Sequence, residues 1–250
     1  MSDRIDTVII TGASTGIGLA TARAFLARGA NLVLNSINSE RLEAAYEELG
    51  RPDNVVLVAG DVSDKAVGQR MVDLALEKFG RVDVLVNNAG IFSPKPFLDV
   101  EEADLDRYLA INLKGTYFTS QAAIPAMQAQ GGGAVINVGT VLVDHAIGGF
   151  PASAAVASKG AIHALTAQLA AEFGKDNIRV NTVAPGIVRT PIHARNGIEN
   201  VDDLSGLSLL GRVGEDTEAA DAILHLATAG FTTGVIYPLD GGHIAGHHFG

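Results

Sequence analysis

The chain has 250 residues, 47% hydrophobic and 18% charged, and its 18 Lys and Arg against 28 Asp and Glu give a net charge of −10. Apolar content at that level excludes an unfolded chain, and the length suits one α/β domain over 1–250. The lack of any basic cluster excludes a nucleic-acid partner, the lack of cysteine excludes disulfides and thiolate chemistry, and the lack of a long apolar run excludes a membrane span, so a cytoplasmic protein is expected.

In chain order, short β-branched runs alternate with alanine-rich segments of helical period. The first strand is TVIIT at 7–11, followed at once by the turn TGASTGIG, Thr11 to Gly18, and a helix over 16–28. NLVLN at 31–35 and a helix over 39–49 come next, with Ser39 as its N-cap, then NVVLVAG at 54–60 and a helix over 64–79. VDVLVNN at 82–88 leads into one long helical stretch over 101–129, which Pro125 is expected to end or kink. AVINVG at 134–139, a helix over 152–174, IRVNTVA at 178–184, a helix over 215–228 and GVIYPL at 234–239 complete the pattern. This alternation predicts a doubly wound α/β fold, a seven-stranded parallel sheet with helices on both faces. Gly186 to Gly214 has no strong period and is too long for a simple connection, which marks it as a substrate loop or lid.

The glycine-rich turn carries the first chemical signal. A turn without Cβ atoms lets backbone N–H groups approach a pyrophosphate, and the N-terminus of the helix it opens adds partial positive charge. Gly12, Gly16 and Gly18 are spaced G-x-x-x-G-x-G. With NNAG at 87–90, Asp61-Val62 after the third strand, Asn112 in INLKGTYF, PGIVRTP at 185–191 and LDGG at 239–242, this resembles the short-chain dehydrogenase/reductase family over nearly the whole chain.

The resemblance implies a single Rossmann-type domain that binds NAD(H) or NADP(H), acts on a small carbonyl or alcohol, and assembles as a homotetramer or homodimer. By position it implies that Gly12, Ser14, Ile17 and Gly18 face the pyrophosphate, Asp61 and Val62 the adenine, and Asn88, Ala89 and Gly90 the adenosine ribose region. Pro185, Gly186 and Val188 would border the nicotinamide. Ser36 stands where the NAD-binding acid would fall at the end of the second strand, so repulsion of a 2′-phosphate is absent. Attraction is weak too, since Ile37 and Thr15 occupy positions where relatives carry bases. Asn35, Ser36, Asn38 and Ser39 are possible phosphate donors, with Arg41 in reach, and the balance favours NADP(H) over NAD(H).

Members of this family use asparagine, serine, tyrosine and lysine together, because hydride transfer to a carbonyl builds oxyanion charge that must be hydrogen-bonded and then protonated. Asn112 and Lys159 match. Thr140 stands at the serine position and keeps a hydroxyl. Ala155, four residues before Lys159 and on the same helical face, stands at the tyrosine position, and no tyrosine occurs between Tyr117 and Tyr237. Three readings stay open. The chain is an engineered Tyr-to-Ala variant of an ordinary member, although Thr140 and the long interval from 140 to 155 argue for natural divergence. It is an oxidoreductase with a replacement acid, His145 in VLVDHAIGGF, assisted by Asp144 or Ser153. Or it binds nucleotide without hydride transfer, as a sensor, structural subunit or non-redox enzyme, with Ala155 leaving room for a water or a bulkier ligand beside Lys159. His163 and His225 read as packed helix residues, and the tail histidines His243, His247 and His248 have no acid or cysteine at a ligand spacing, so no metal is expected.

Overall fold

The computed structural model describes residues 5–246; His247, His248 and the rest of the tail lie outside the described residues. Seven strands form one sheet: β1 (Thr7–Ile10), β2 (Asn31–Ser36), β3 (Val55–Ala59), β4 (Val84–Asn87), β5 (Gly133–Val138), β6 (Ile178–Pro185) and, at the far edge, β9 (Ile236–Leu239). Their order is β3-β2-β1-β4-β5-β6-β9, and every neighbouring pair is parallel. Two-residue strands β7 (Val188–Arg189) and β8 (Gly214–Glu215) pair separately.

Alternate residues of each strand serve opposite cores. Val8, Ile10, Leu32, Leu34, Val84 and Val86 meet α1 (Gly16–Leu26), α2 (Ser39–Glu48) and α8 (Asp216–Thr228) through Phe25, Leu42 and Ile223. Ile9, Val33, Leu85 and Val135 meet α3 (Lys65–Phe79), α5 (Gly115–Gln130) and α6 (Ser153–Phe173) through Met71, Met127 and Ala170. Full burial of each such side chain is worth about 1.5–3 kcal/mol, which is why strands of only four residues hold their place.

The helix expected over 101–129 is three pieces. α4 (Glu102–Tyr108) passes into a π-turn, Leu109–Lys114, and then into α5. Pro125 does not end α5, which runs on to Gln130 with Ala123, Ile124 and Met127 buried on either side of the proline. The N-cap of α2 is Asn38, whose Oδ1 accepts from Arg41 N at 2.8 Å; Ser39 is the first helical residue. The long segment 186–214 contains β7, a short helix α7 (Pro191–Arg195) and a 3-10 turn, Val201–Leu207. No helix among the described residues is long and apolar enough to cross a membrane.

The chain leaves β1 toward β2 and β3, then returns to place β4 on the other side of β1, so the crossovers diverge beyond the carboxyl ends of β1 and β4. Ligands of open α/β sheets bind at such a divergence. Thr11 ties it together: its Oγ1 accepts from Asn88 N and Ala89 N at 3.0 Å each.

Candidate active site

A crevice of about 820 Å³ opens over the carboxyl ends of the strands. Gly12, Ser14, Thr15 and Ile17 line its floor, Ser36, Asp61 and Val62 one end, and Asn88, Ala89 and Gly90 its centre. Thr140 and Lys159 line the other end, with Pro185, Gly186 and Val188 beside them. Two expected residues lie behind this surface: Gly18 is buried in α1, and Asn112 is fully buried behind Gly90.

The glycine turn has the shape a pyrophosphate requires. Gly12 and Gly16 have φ of 63° and 54°, where a Cβ is strained. Asn88 Nδ2 donates to Thr11 O and Gly12 O at 3.0 Å each, so its amide holds the turn in place. A Cβ at Gly18 would run into Gly12 O and stand 2.5 Å from Asn88 Nδ2, which explains why α1 can approach the turn only with glycine there. Gly18→Val is therefore expected to push α1 off the turn, costing about 1–3 kcal/mol of stability and weakening NADPH binding more than about tenfold in a fluorescence titration. Gly174→Ala, whose Cβ would meet nothing within 4 Å, is the matched control. Unaltered NADPH affinity in Gly18→Val would remove the turn from the binding site.

At the end of β2, Ser14 and Ser36 share a hydroxyl hydrogen bond of 3.0 Å, and Asn38 N donates to Ser36 Oγ at 3.3 Å. Asn35 cannot donate to a phosphate as expected, because its Nδ2 is spent on Val58 O at 2.9 Å and Gly60 O at 3.1 Å. Arg41 lines this end of the crevice.

At the catalytic end, a buried polar row sets the strand ends. Asn87, Asn137 and Thr182 are in register across β4, β5 and β6. Asn87 Nδ2 donates to Asn137 Oδ1 at 2.9 Å, Asn137 Nδ2 to Thr166 Oγ1 at 3.0 Å, and Thr166 and Thr182 share a bond of 2.7 Å, which fixes α6 against the sheet. The π-turn then presents Asn112, which donates to Ser158 Oγ at 2.8 Å and accepts from Ile91 N at 2.8 Å. π-turns inside helices recur at functional sites because they re-aim a side chain.

Lys159 follows Ser158 on α6. Its side chain is 7% exposed, its Nζ donates to Val138 O at 2.6 Å, and burial lowers its pKa from 10.5 to about 8. A Cβ at Gly90 would stand 3.1 Å from Asn112 Oδ1 and 3.2 Å from Lys159 Nζ, so only glycine leaves the ammonium open to the crevice. Thr140 Oγ1 accepts from Leu142 N at 3.3 Å, which leaves its proton free to donate.

The other two expectations at this end are not met. His145 is exposed, packs edge-to-face on His243 at 5.0 Å, and is not among the side chains lining the crevice. Ala155 leaves no open space: it is 1% exposed and lies in a cluster with Tyr108 and Ala154, against which Ile91, Phe92 and Val100 pack. Sequence reasoning did not single out Tyr108, whose hydroxyl accepts from Ser93 N and donates to Ser93 O at 2.9 Å each and is thereby fully occupied. His163, one turn beyond Lys159, packs over Gly139, and burial lowers its pKa.

A glycine turn at the switch point of a parallel sheet, with a buried lysine across from it, defines a dinucleotide-dependent oxidoreductase of the Rossmann type. Comparison with known proteins sharpens this. Residues 12–243 match the family model described as enoyl-(acyl carrier protein) reductase. The chain is 37% identical over 239 residues to a 3alpha-hydroxysteroid dehydrogenase of Mediterraneibacter gnavus, covering 93% of this chain and 94% of that protein. It is 35% identical over 238 residues to a 3-oxoacyl-(acyl-carrier-protein) reductase of Thermotoga maritima, covering 94% and 96%. The crystal structure of a short-chain type dehydrogenase/reductase from Mycobacterium marinum superposes with a TM-score of 0.90 at 31% identity, covering 96% of each chain. The chain belongs to the short-chain dehydrogenase/reductase family and is an enzyme of that family, a nicotinamide-dependent oxidoreductase.

Proposed function

We propose that the protein exchanges a hydride between a nicotinamide dinucleotide, NADP(H) in preference to NAD(H), and a small carbonyl or alcohol, with the Lys159 ammonium as proton donor in place of a phenol. The observation that carries this reading is Lys159 itself: buried, bordering the crevice at Gly90, with a pKa of about 8. When bound, the nicotinamide supplies or accepts the hydride. The turn around Gly12, the Ser14–Ser36 hydroxyl pair and Asp61 would hold the rest of the nucleotide.

During reduction the substrate oxygen gains charge and then a proton. Thr140 can donate a hydrogen bond to that oxygen, and Lys159 has three ammonium hydrogens, of which Val138 O takes one. The others would be available to a ribose hydroxyl of the bound nucleotide and to the substrate oxygen. A donor whose pKa lies near neutrality exchanges protons well in both directions. Asn112 acts behind Lys159, holding Ser158 and the backbone of Ile91 so that the floor at Gly90 stays open.

Preference for NADP(H) is supported by Ser36 in place of an acid and by Arg41, which makes no side-chain hydrogen bond or ion pair among the described residues. The same reading takes 1–250 as one domain, assembled as a homodimer or homotetramer through the apolar groove between α5 and α6 at Tyr117, Phe118 and Leu165. Titration with NADPH and NADH, followed by a panel of ketones and alcohols, tests the proposal. NADPH is expected to bind more tightly and to be consumed with at least one carbonyl. Tight nucleotide binding with no turnover across the panel would favour a binding protein instead.

A further inference from the structure

We propose that the crevice continues into a second subsite that takes a carboxylate of the substrate, held by Arg107 and Arg195, so that the substrate is an apolar keto or hydroxy acid. This rests on reading the crevice as a hydride-transfer site. A cavity of about 440 Å³ adjoins the crevice, and Gly90, Ile91, Phe92, Ile192 and both arginines line the two spaces together. Gly90 is also where the floor meets Lys159 Nζ and Asn112 Oδ1. A molecule whose reacting oxygen sits at Lys159 can therefore extend over Gly90 into the second cavity.

The walls of that cavity are mixed: Val100, Ala152, Ala154, the ring of Tyr108 and Phe92, which stacks on Phe150 at 6.0 Å, are apolar, and Ser93, Lys95, Asp104 and Asn196 add polar groups. Its charges are not balanced. Lys95 and Asp104, which also line it, pair with each other, and beyond it Arg189 pairs with Asp202 and Glu215 and Arg212 with Glu218, while Arg41 at the β2 end of the crevice is unpaired as well. Arg107, on α4, and Arg195, at the end of α7, make no side-chain hydrogen bond or ion pair among the described residues, in a chain with 28 acids against 18 bases. Arg107 is near enough to Asp104 to help lower its pKa, but Asp104 Oδ2 already accepts from Lys95 Nζ and from Glu101 N. Asn196 Nδ2 donates to Phe92 O at 2.9 Å, which ties the end of α7 across the loop that carries Phe92 and fixes where Arg195 begins. Two exposed arginines without side-chain partners, from separate elements and lining one chamber beside the catalytic end, offer the planar paired donors that a carboxylate takes.

The test uses the protein with NADPH and matched probes, 4-oxocyclohexanecarboxylate and 4-oxopentanoate against their methyl esters. The acids are expected to show kcat/KM at least about tenfold above the esters, and the preference should shrink with added salt. Arg107→Ala and Arg195→Ala should each lower the acid-to-ester ratio about tenfold, with Arg195→Lys keeping part of it. Equal rates for acid and ester, an unchanged ratio in both alanine variants, or weaker NADPH binding in those variants would overturn the proposal, the last by assigning the arginines to the nucleotide. Should neither probe turn over, calorimetric binding of 4-oxocyclohexanecarboxylate to the NADPH complex still decides: loss of affinity of about tenfold or more in Arg107→Ala/Arg195→Ala upholds the subsite, and equal affinity sinks it.

Discussion

Lys159→Met is expected to lower the rate of carbonyl reduction by about 10² to 10⁴ and yet to leave the protein at least as stable as its parent near neutral pH. The two effects have one source. Burial drives the Lys159 pKa from 10.5 down to about 8, so the folded protein holds a cation it has largely stripped of water. Below pH 8 the amine is protonated in both folded and unfolded chains, and the folded state carries the whole penalty, about 3 kcal/mol from the size of the shift. Between pH 8 and 10.5 the folded protein has released its proton while the unfolded chain still holds one, so the parent gains stability as pH rises through that window. Methionine removes the penalty but leaves Val138 O without its partner, a loss of about 1–3 kcal/mol. Thermal melts from pH 6 to 10 should show the variant level with or above the parent at pH 7, with that margin falling as pH rises. Parent turnover should mirror the titration, reduction slowing and alcohol oxidation quickening as pH passes about 8. A variant that keeps its turnover, or that melts well below the parent by the same margin at every pH, would remove Lys159 from the chemistry.

The strands and the phosphate turn were legible because each is a local pattern. TVII is β-branched throughout, VLVN is aliphatic up to its closing asparagine, both are buried throughout, and Gly12 and Gly16 stand where the backbone must turn with positive φ. The site's finer geometry arises from contacts that sequence spacing does not encode. Nothing in LAINLK marks a π-turn rather than another turn of α-helix, yet that extra residue aims Asn112 at Ile91 and Ser158. Asn35 looked free to meet a phosphate until the third strand supplied Val58 O and Gly60 O to its amide. His145 offers an imidazole on the loop leaving the fifth strand, but the C-terminal turn brings His243 against it. Arg107 and Arg195 are unremarkable in sequence, and only the fold, which ties the end of α7 to the loop at Phe92, puts them on one cavity. In each case the missing information is which distant side chain arrives, not which residue is present.

Ala155→Tyr decides between a vacated tyrosine site and a rebuilt one, and it is expected to bring no gain in turnover together with a loss of stability. Were the alanine a simple truncation, the space of a phenol would stand open beside Lys159. Instead Ala155 is 1% exposed, and Tyr108, Ile91, Phe92 and Val100 close over its part of α6. Ser158 Oγ donates to Ala155 O at 2.7 Å and receives Asn112 Nδ2, so a shift of this turn to admit a ring would also disturb the support of Lys159. Forcing a large side chain into a packed site costs about 1–3 kcal/mol, or about 2–4 °C of melting temperature per kcal/mol in a chain of this size. Thermal melts and NADPH-coupled ketone reduction read the two effects separately. If the tyrosine variant reduces ketones about 10² faster or more and melts no lower than the parent, the alanine marks an emptied site, and the ammonium of Lys159 is an auxiliary to a lost phenol rather than the donor itself.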